Sequence, residues 1–231
     1  MENKNKLVRS YNLKVEKDKL YTNYDGSNPS DKQYEKIVNS LGQGKSILSL
    51  GCGEGREVKA LVKCGHKVTA IDSAERMVES SKKIEPNAEY FVSDVVDFAE
   101  NNTHRKFDKI IGLFSLYNYI DTPTRRKNLA KNLPKLLTED GELILSIHIL
   151  FEGWKEVLKF LLAPFFAIYY RELKDYRFGD EYSKRGGVWT KTHTYSKREL
   201  NKLFRNYDIN YEKLWKQTKV TIKKRLRKLI S

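Results

Sequence analysis

An α/β fold, with a parallel sheet covered by helices on both faces, is what this 231-residue chain predicts, on three observations. Between residues 46 and 149, short apolar or β-branched runs alternate with stretches of helical periodicity, the pattern of right-handed strand–helix–strand crossovers. The first run stops at three glycines spaced two apart, Gly51, Gly53 and Gly55. The next two runs end in an acid, Asp72 and Asp94.

Taken in order, the polar stretch 1–30 carries Tyr11, Tyr21 and Tyr24, and Asp31 caps a short helix through Leu41. Residues 46–51 form a strand, and 56–64 a helix with Val58, Leu61 and Val62 on one face. Glycine between them permits a turn with φ > 0 and lets backbone N–H groups approach a ligand at a helix N-terminus. Strand 67–72 delivers Asp72 about twenty residues beyond the glycines, the distance at which such units present a carboxylate to ribose hydroxyls. Helix 74–83, strand 88–93, helix 95–101 and strand 107–114 follow. Thr122-Pro123 starts a helix running to 137, with Pro134 expected to kink it. Asp140-Gly141 turns the chain into an apolar fifth strand, 142–149. Residues 188–195 read as a strand, Ser196 and Glu199 as a capping box, and 207–222 as a closing hairpin pair.

The glycine spacing departs from a dinucleotide fingerprint, which places its third glycine at position 56; Arg56 stands there. With Gly51-Cys52-Gly53-Glu54-Gly55, Asp72 and Asp94 on successive strand ends, the chain resembles the class I S-adenosylmethionine-dependent methyltransferases, well over residues 40–150 and loosely beyond. The resemblance implies a Rossmann-like, doubly wound, mostly parallel seven-stranded sheet with a helical insertion after the fifth strand. It implies S-adenosyl-L-methionine as cofactor, held by Gly51, Cys52, Gly53, Gly55, Asp72, Ser73, Met77, Asp94, Val95 and Phe114. In that assignment the turn meets the methionine part, Asp72 the ribose, Met77 the adenine face, and Asp94 with Val95 its edge. Asp72 and Asp94 also precede helices, where an acid serves equally as an N-cap. Family members usually carry Asp or Glu two residues before the first glycine; this chain has Ser49. The family's layout divides the chain into an N-terminal lid or helix (1–41), a cofactor core (42–150), an insertion or acceptor lid (151–187), and closing strands with a basic tail (188–231). Tyr24 is then a candidate cofactor contact.

In-line transfer from a sulfonium needs alignment and exclusion of water more than acid–base groups, so no catalytic residue is assigned. Tyr117, Asn118, His148 and His193 are the candidates near the reacting end, His148 as a base and each histidine equally as a packed or solvent-facing residue. After the fourth strand, Phe114-Ser115-Leu116-Tyr117 replaces the Asp/Asn-Pro-Pro-aromatic motif of exocyclic-amine DNA methyltransferases, and no Pro-Cys pair offers a nucleophile for cytosine carbon 5. The expected function is methyl transfer to O or N of a small or medium-sized acceptor.

Charge leaves other partners open. Of the net +14 in this chain, residues 151–231 hold 20 Lys+Arg against 9 Asp+Glu. That asymmetry suits RNA, an acidic membrane surface or an anionic metabolite, and equally a solvated basic face. An RNA or tRNA methyltransferase and a non-catalytic cofactor-binding protein are therefore the alternatives. The apolar stretch 157–170 is too short to span a bilayer and accommodates a lid, a dimer contact, a membrane-surface helix or a buried helix. Two cysteines, Cys52 as a small residue within the glycine turn and Cys64 as an apolar filler, make neither a disulfide framework nor a metal site, and with no leader-like N-terminus they point to the cytoplasm. Oligomeric state is not encoded in any pattern found.

Overall fold

The computed structural model describes residues 35–150, 179–185, 188–214 and 217–225, with Val8, Leu161 and Phe165 as single positions. Strand β1 (Ser46–Leu50) alternates in its packing. Ile47 joins one apolar cluster with Val58, Leu61 and Ile111, whereas Leu48 and Leu50 join another with Phe98, Leu129 and Leu145. A strand flanked by two such clusters is buried on both faces, the condition for a parallel sheet sandwiched by helices.

The sheet follows. β1 pairs in parallel with β2 (Lys67–Asp72) on one side and β4 (Phe107–Gly112) on the other. β3 (Glu89–Val92) extends it beyond β2, and β5 (Leu137–Ile147) beyond β4. Two later strands, β8 (Tyr207–Lys213) and β9 (Thr218–Lys224), complete seven strands in the order β3-β2-β1-β4-β5-β9-β8, with β9 antiparallel to both neighbours. A separate two-stranded ribbon joins β6 (Asp180–Arg185) to β7 (Val188–His193). Residues 35–39 are helical ahead of β1, and the helices after it are α1 (Arg56–Lys63), α2 (Glu75–Ile84), α3 (Val95–Asn101), α4 (Pro123–Asn132) and α5 (Lys197–Leu203). Strand order reverses between β1 and β4, and the crevice at such a switch point is where open α/β sheets bind ligands.

Four expectations change. Helix α4 stops at Asn132, and Pro134 lies in a 3-10 turn (Leu133–Leu136) rather than at a kink, because proline cannot supply the N–H that another helical turn needs. Strand β5 begins at Leu137, so Asp140-Gly141 sits within it: the register jumps from Phe107↔Leu137 to Lys109↔Glu142, and the extra residues bulge. Residues 180–185, read as part of a helical insertion, are strand β6; their charged sequence lacks an alternating apolar signal, and pairing with β7 supplies the order instead. Cys64 is exposed at the end of α1, not an apolar filler. Tyr24, the cap at Asp31, the stretch 157–170 and the tail beyond 225 lie outside the described residues, save Leu161 and Phe165, both helical and exposed.

Candidate functional site

The glycine turn runs from the end of β1 to the start of α1. All three glycines are left-handed: φ is 66° at Gly51, 53° at Gly53 and 86° at Gly55. Their surroundings differ. A Cβ at Gly51 would come within 2.7 Å of Leu116 Cδ1, and one at Gly55 within 2.8 Å of Ser81 Cα. A Cβ at Gly53 would meet nothing within 4 Å, so the middle of the turn borders open space. The outer glycines are packing requirements, and the middle one leaves a cradle that a side chain would fill.

Asp72 fastens the turn to the end of β2. Its Oδ2 accepts from Gly53 N–H at 3.0 Å and its Oδ1 from Ala74 N–H at 2.9 Å. Desolvation raises its pKa above the usual carboxylate range, against the pull of those N–H groups. Cys52 N–H donates to Ile71 O at 2.9 Å, and Ser93 N–H to Asp72 O at 2.9 Å, which brings the end of β3 to the same edge. The Cys52 thiol is buried, and burial followed by the nearby acids Asp72 and Glu57 pushes it well up, so it is a protonated packing group.

The other assigned residues divide. Ser73 is half-buried beside Asp72, while Met77 and Val95 are buried at 5% and 6% exposure. Asp94 is the N-cap of α3: its Oδ1 accepts from Val96 N–H at 2.9 Å and pairs with Arg125 Nη2 at 2.6 Å, tying α4 to α3. Phe114 is exposed at 41%, in a left-handed conformation shared with Ser115 (φ 52° and 63°). Two consecutive non-glycine residues with φ > 0 store strain, which structures concentrate where a side chain must be aimed. The Arg56 guanidinium lies 4.3 Å from the Phe114 ring centre, covering one side of it.

A second polar cluster lies past the end of β5. Asp180, fully buried, accepts from His193 Nδ1 at 2.7 Å and lies 3.5 Å from Arg126 Nη1 and 3.9 Å from Lys191 Nζ. His193 Nε2 meets both oxygens of Glu199, at 3.1 and 3.0 Å. Glu199 is thus only half of a capping box: its N–H bonds Ser196 Oγ, but its carboxylate turns to His193. Both ring nitrogens of His193 are committed to carboxylates, so it offers no lone pair to an acceptor. Asn118 stitches the cluster to the sheet, donating to His193 O at 2.6 Å and His148 O at 3.2 Å and accepting from His148 N–H at 3.0 Å. Tyr117 is buried with its hydroxyl donating to Arg126 O, and desolvation drives its pKa far upward. Of the four candidates near the reacting end, His148 alone is half-buried; the other three are buried.

Sequence reading missed Glu57, Ser81, Arg126 and Asp180, and read Glu199 only as a cap rather than as a partner of His193. Glu57 sits one turn before the core residue Leu61, the one available hint that it faces inward. Among the described residues, no group of three or more His, Cys, Asp or Glu side chains is arranged to hold a metal, and no helix is long and apolar enough to cross a membrane.

Comparison with known proteins bears on this site. Residues 47–141 match the methyltransferase domain family. A ubiquinone biosynthesis O-methyltransferase of Actinobacillus pleuropneumoniae is 30% identical over 110 residues, 45% of this chain and 45% of that protein; the match thus spans less than half the relative's length. In fold, the chain resembles an S-adenosylmethionine-dependent methyltransferase of Methanosarcina mazei, with a TM-score of 0.65 at 18% identity over 81% of this chain and 94% of the other. It also resembles the 1,6-didemethyltoxoflavin N1-methyltransferase of Burkholderia thailandensis, solved with bound 1,6-didemethyltoxoflavin and S-adenosylhomocysteine. The TM-score is 0.63 at 14% identity, over 96% of this chain and 89% of the other.

Proposed function

We propose, for a chain whose residues 47–141 match the methyltransferase domain family, that this protein transfers a methyl group from S-adenosyl-L-methionine to O or N of a small or medium-sized acceptor. The observation that carries the reading is the turn itself: a left-handed glycine at 53 beside open space, its N–H held by the carboxylate at the end of β2. When bound, the cofactor supplies an electrophilic methyl group on a sulfonium. The chain's own residues then have three tasks. The turn Gly51–Gly55 gives close backbone approach without a Cβ at its centre. A carboxylate offers about four lone-pair sites, so Asp72 retains capacity for ribose hydroxyls while holding Gly53 and Ala74. Phe114, aimed outward and covered on one side by Arg56, walls the reacting end against water.

Ser73 and Met77 on the α2 side, with Asp94 and Val95 at the start of α3, complete the adenosine end in this reading. The relatives support a small acceptor: one is named for ubiquinone biosynthesis, and another was solved with 1,6-didemethyltoxoflavin. A thiol buried at Cys52 and another exposed at Cys64 suit a reducing, cytoplasmic setting.

Calorimetric titration with S-adenosylmethionine and S-adenosylhomocysteine tests the cofactor, and a panel of phenolic and amine acceptors tests the transfer. Binding stabilises the fold by about 2.7 kcal/mol at a hundredfold excess over Kd. No heat and no thermal stabilisation by either ligand defeats the reading.

A further inference from the structure

We infer that Glu57, held by Ser49, is the positioning acid of the glycine turn: a buried carboxyl that yields its proton to solvent as a cationic ligand seats there, linking affinity to pH. The inference rests on the cofactor reading above.

Its basis is a relocation. Where the resembling family usually places an acid on the first strand, this chain has Ser49, and its Oγ donates to Glu57 Oε1 at 2.7 Å. Both are buried, Ser49 completely and Glu57 at 4% exposure. Ser49 shares a side of β1 with Ile47, the side where Val58 and Leu61 of α1 pack, so a first-turn residue of α1 meets it directly. The acid missing from the strand is present one layer back, on the helix that the glycine turn opens.

That carboxyl is acted on by one cation and one acid. Arg56, its neighbour on α1, favours the charged form, but its guanidinium is spread over Phe114. Asp72, from the end of β2, opposes it. Cys52, from the turn, lies within electrostatic range of both acids and is bonded to the neutral Ser81 of α2, which also meets the Tyr90 hydroxyl from β3. Burial first, and Asp72 in addition, raise Glu57 to about 7 despite the Ser49 hydrogen bond. A ligand carrying an ammonium and a sulfonium adds positive charge to that of Arg56 against burial and Asp72, and the carboxylate form then prevails. No covalent bond forms; one O–H bond of Glu57 breaks and the proton goes to buffer.

Titrating S-adenosylmethionine at pH 7 in two buffers of different ionisation enthalpy reads the proton directly. Wild type should release about half a proton per site beyond what Glu57→Gln releases, and its Kd should weaken about tenfold from pH 8 to pH 6 relative to that variant. The ligand's own amine titrates identically in both proteins, so the difference isolates Glu57. Ser49→Ala removes the hydrogen bond that holds Glu57 down and should increase the release, an outcome a merely structural role would not produce. Binding with the same proton count and pH dependence in wild type and Glu57→Gln overturns this inference while leaving the cofactor reading intact. Absence of binding to wild type at every pH overturns both.

Discussion

At the glycine turn, a buried acid and a half-buried one are met by a hydroxyl and by backbone N–H groups: Glu57 by Ser49, and Asp72 by Gly53 and Ala74. Beyond the end of β5, Asp180 and Glu199 are met by Arg126, Lys191 and His193. Both regions desolvate carboxylates, an expensive act in a medium of low dielectric constant. The second compensates within itself and is closed. The first is raised in pKa and borders open space, the condition of a site whose compensating charge arrives with a ligand. Ionic density therefore does not mark the functional region here; incomplete compensation does.

The sharpest way to break that contrast is to remove an anion from the closed cluster. Asp180→Ala takes an anionic partner from the buried Arg126 and Lys191 and the Nδ1 partner from His193. Removing one partner of a buried ionic set typically costs about 3–5 kcal/mol. Urea unfolding should show a loss of that size, with cofactor affinity of the folded fraction unchanged. A loss below about 1 kcal/mol would mean that the cluster is solvated and the contrast false.

Glu57→Gln probes the open region in the ligand-free protein, and the sign is opposite. The folded-state value of about 7 lies above the ordinary 4.5, so the native state holds the proton more tightly than the unfolded chain does. Stability is then fully present below pH 4.5 and declines as pH rises through about 7. The decline is roughly 3 kcal/mol on the scale of 1.36 kcal/mol per pKa unit. Glu57→Gln, which cannot ionise, should match wild type at pH 4.5 and exceed it at pH 8. Thermal melts across that range decide it; parallel curves would show that Glu57 titrates normally.

The two regions also differ in how far the residues alone revealed them. The glycine turn and Asp72 are local in sequence, because a turn with φ > 0 demands glycine and a strand end demands a break in the apolar run. Their spacing led to the turn between β1 and α1 and to most strand positions. The closed cluster was invisible: Arg126, Asp180, His193 and Glu199 come from four separate elements, and no short-range pattern reports a pairing across 54 residues. Glu57 escaped for another reason. An acid in the first turn of a helix is normally explained by the helix dipole, which hides the inward direction of this one. Asp94 shows the reverse limit, since capping and ligand contact predict the same residue at the same place and its Oδ1 serves the cap.

Within the turn, the glycines themselves sharpen the comparison further. Gly55→Ala places a Cβ 2.8 Å from Ser81 Cα at φ 86°, combining overpacking with left-handed strain, and should cost roughly 2–3 kcal/mol of stability. Gly53→Ala meets no atom within 4 Å, so only the φ of 53° is penalised, by about 1 kcal/mol. Its effect should appear instead in binding, because the added methyl occupies the open space beside the turn. We expect Gly53→Ala to lose at least tenfold in S-adenosylmethionine affinity while its urea midpoint barely moves. If affinity survives along with stability, the open space at Gly53 is not where the cofactor lies, and the crevice would have to be used from the Phe114 side instead.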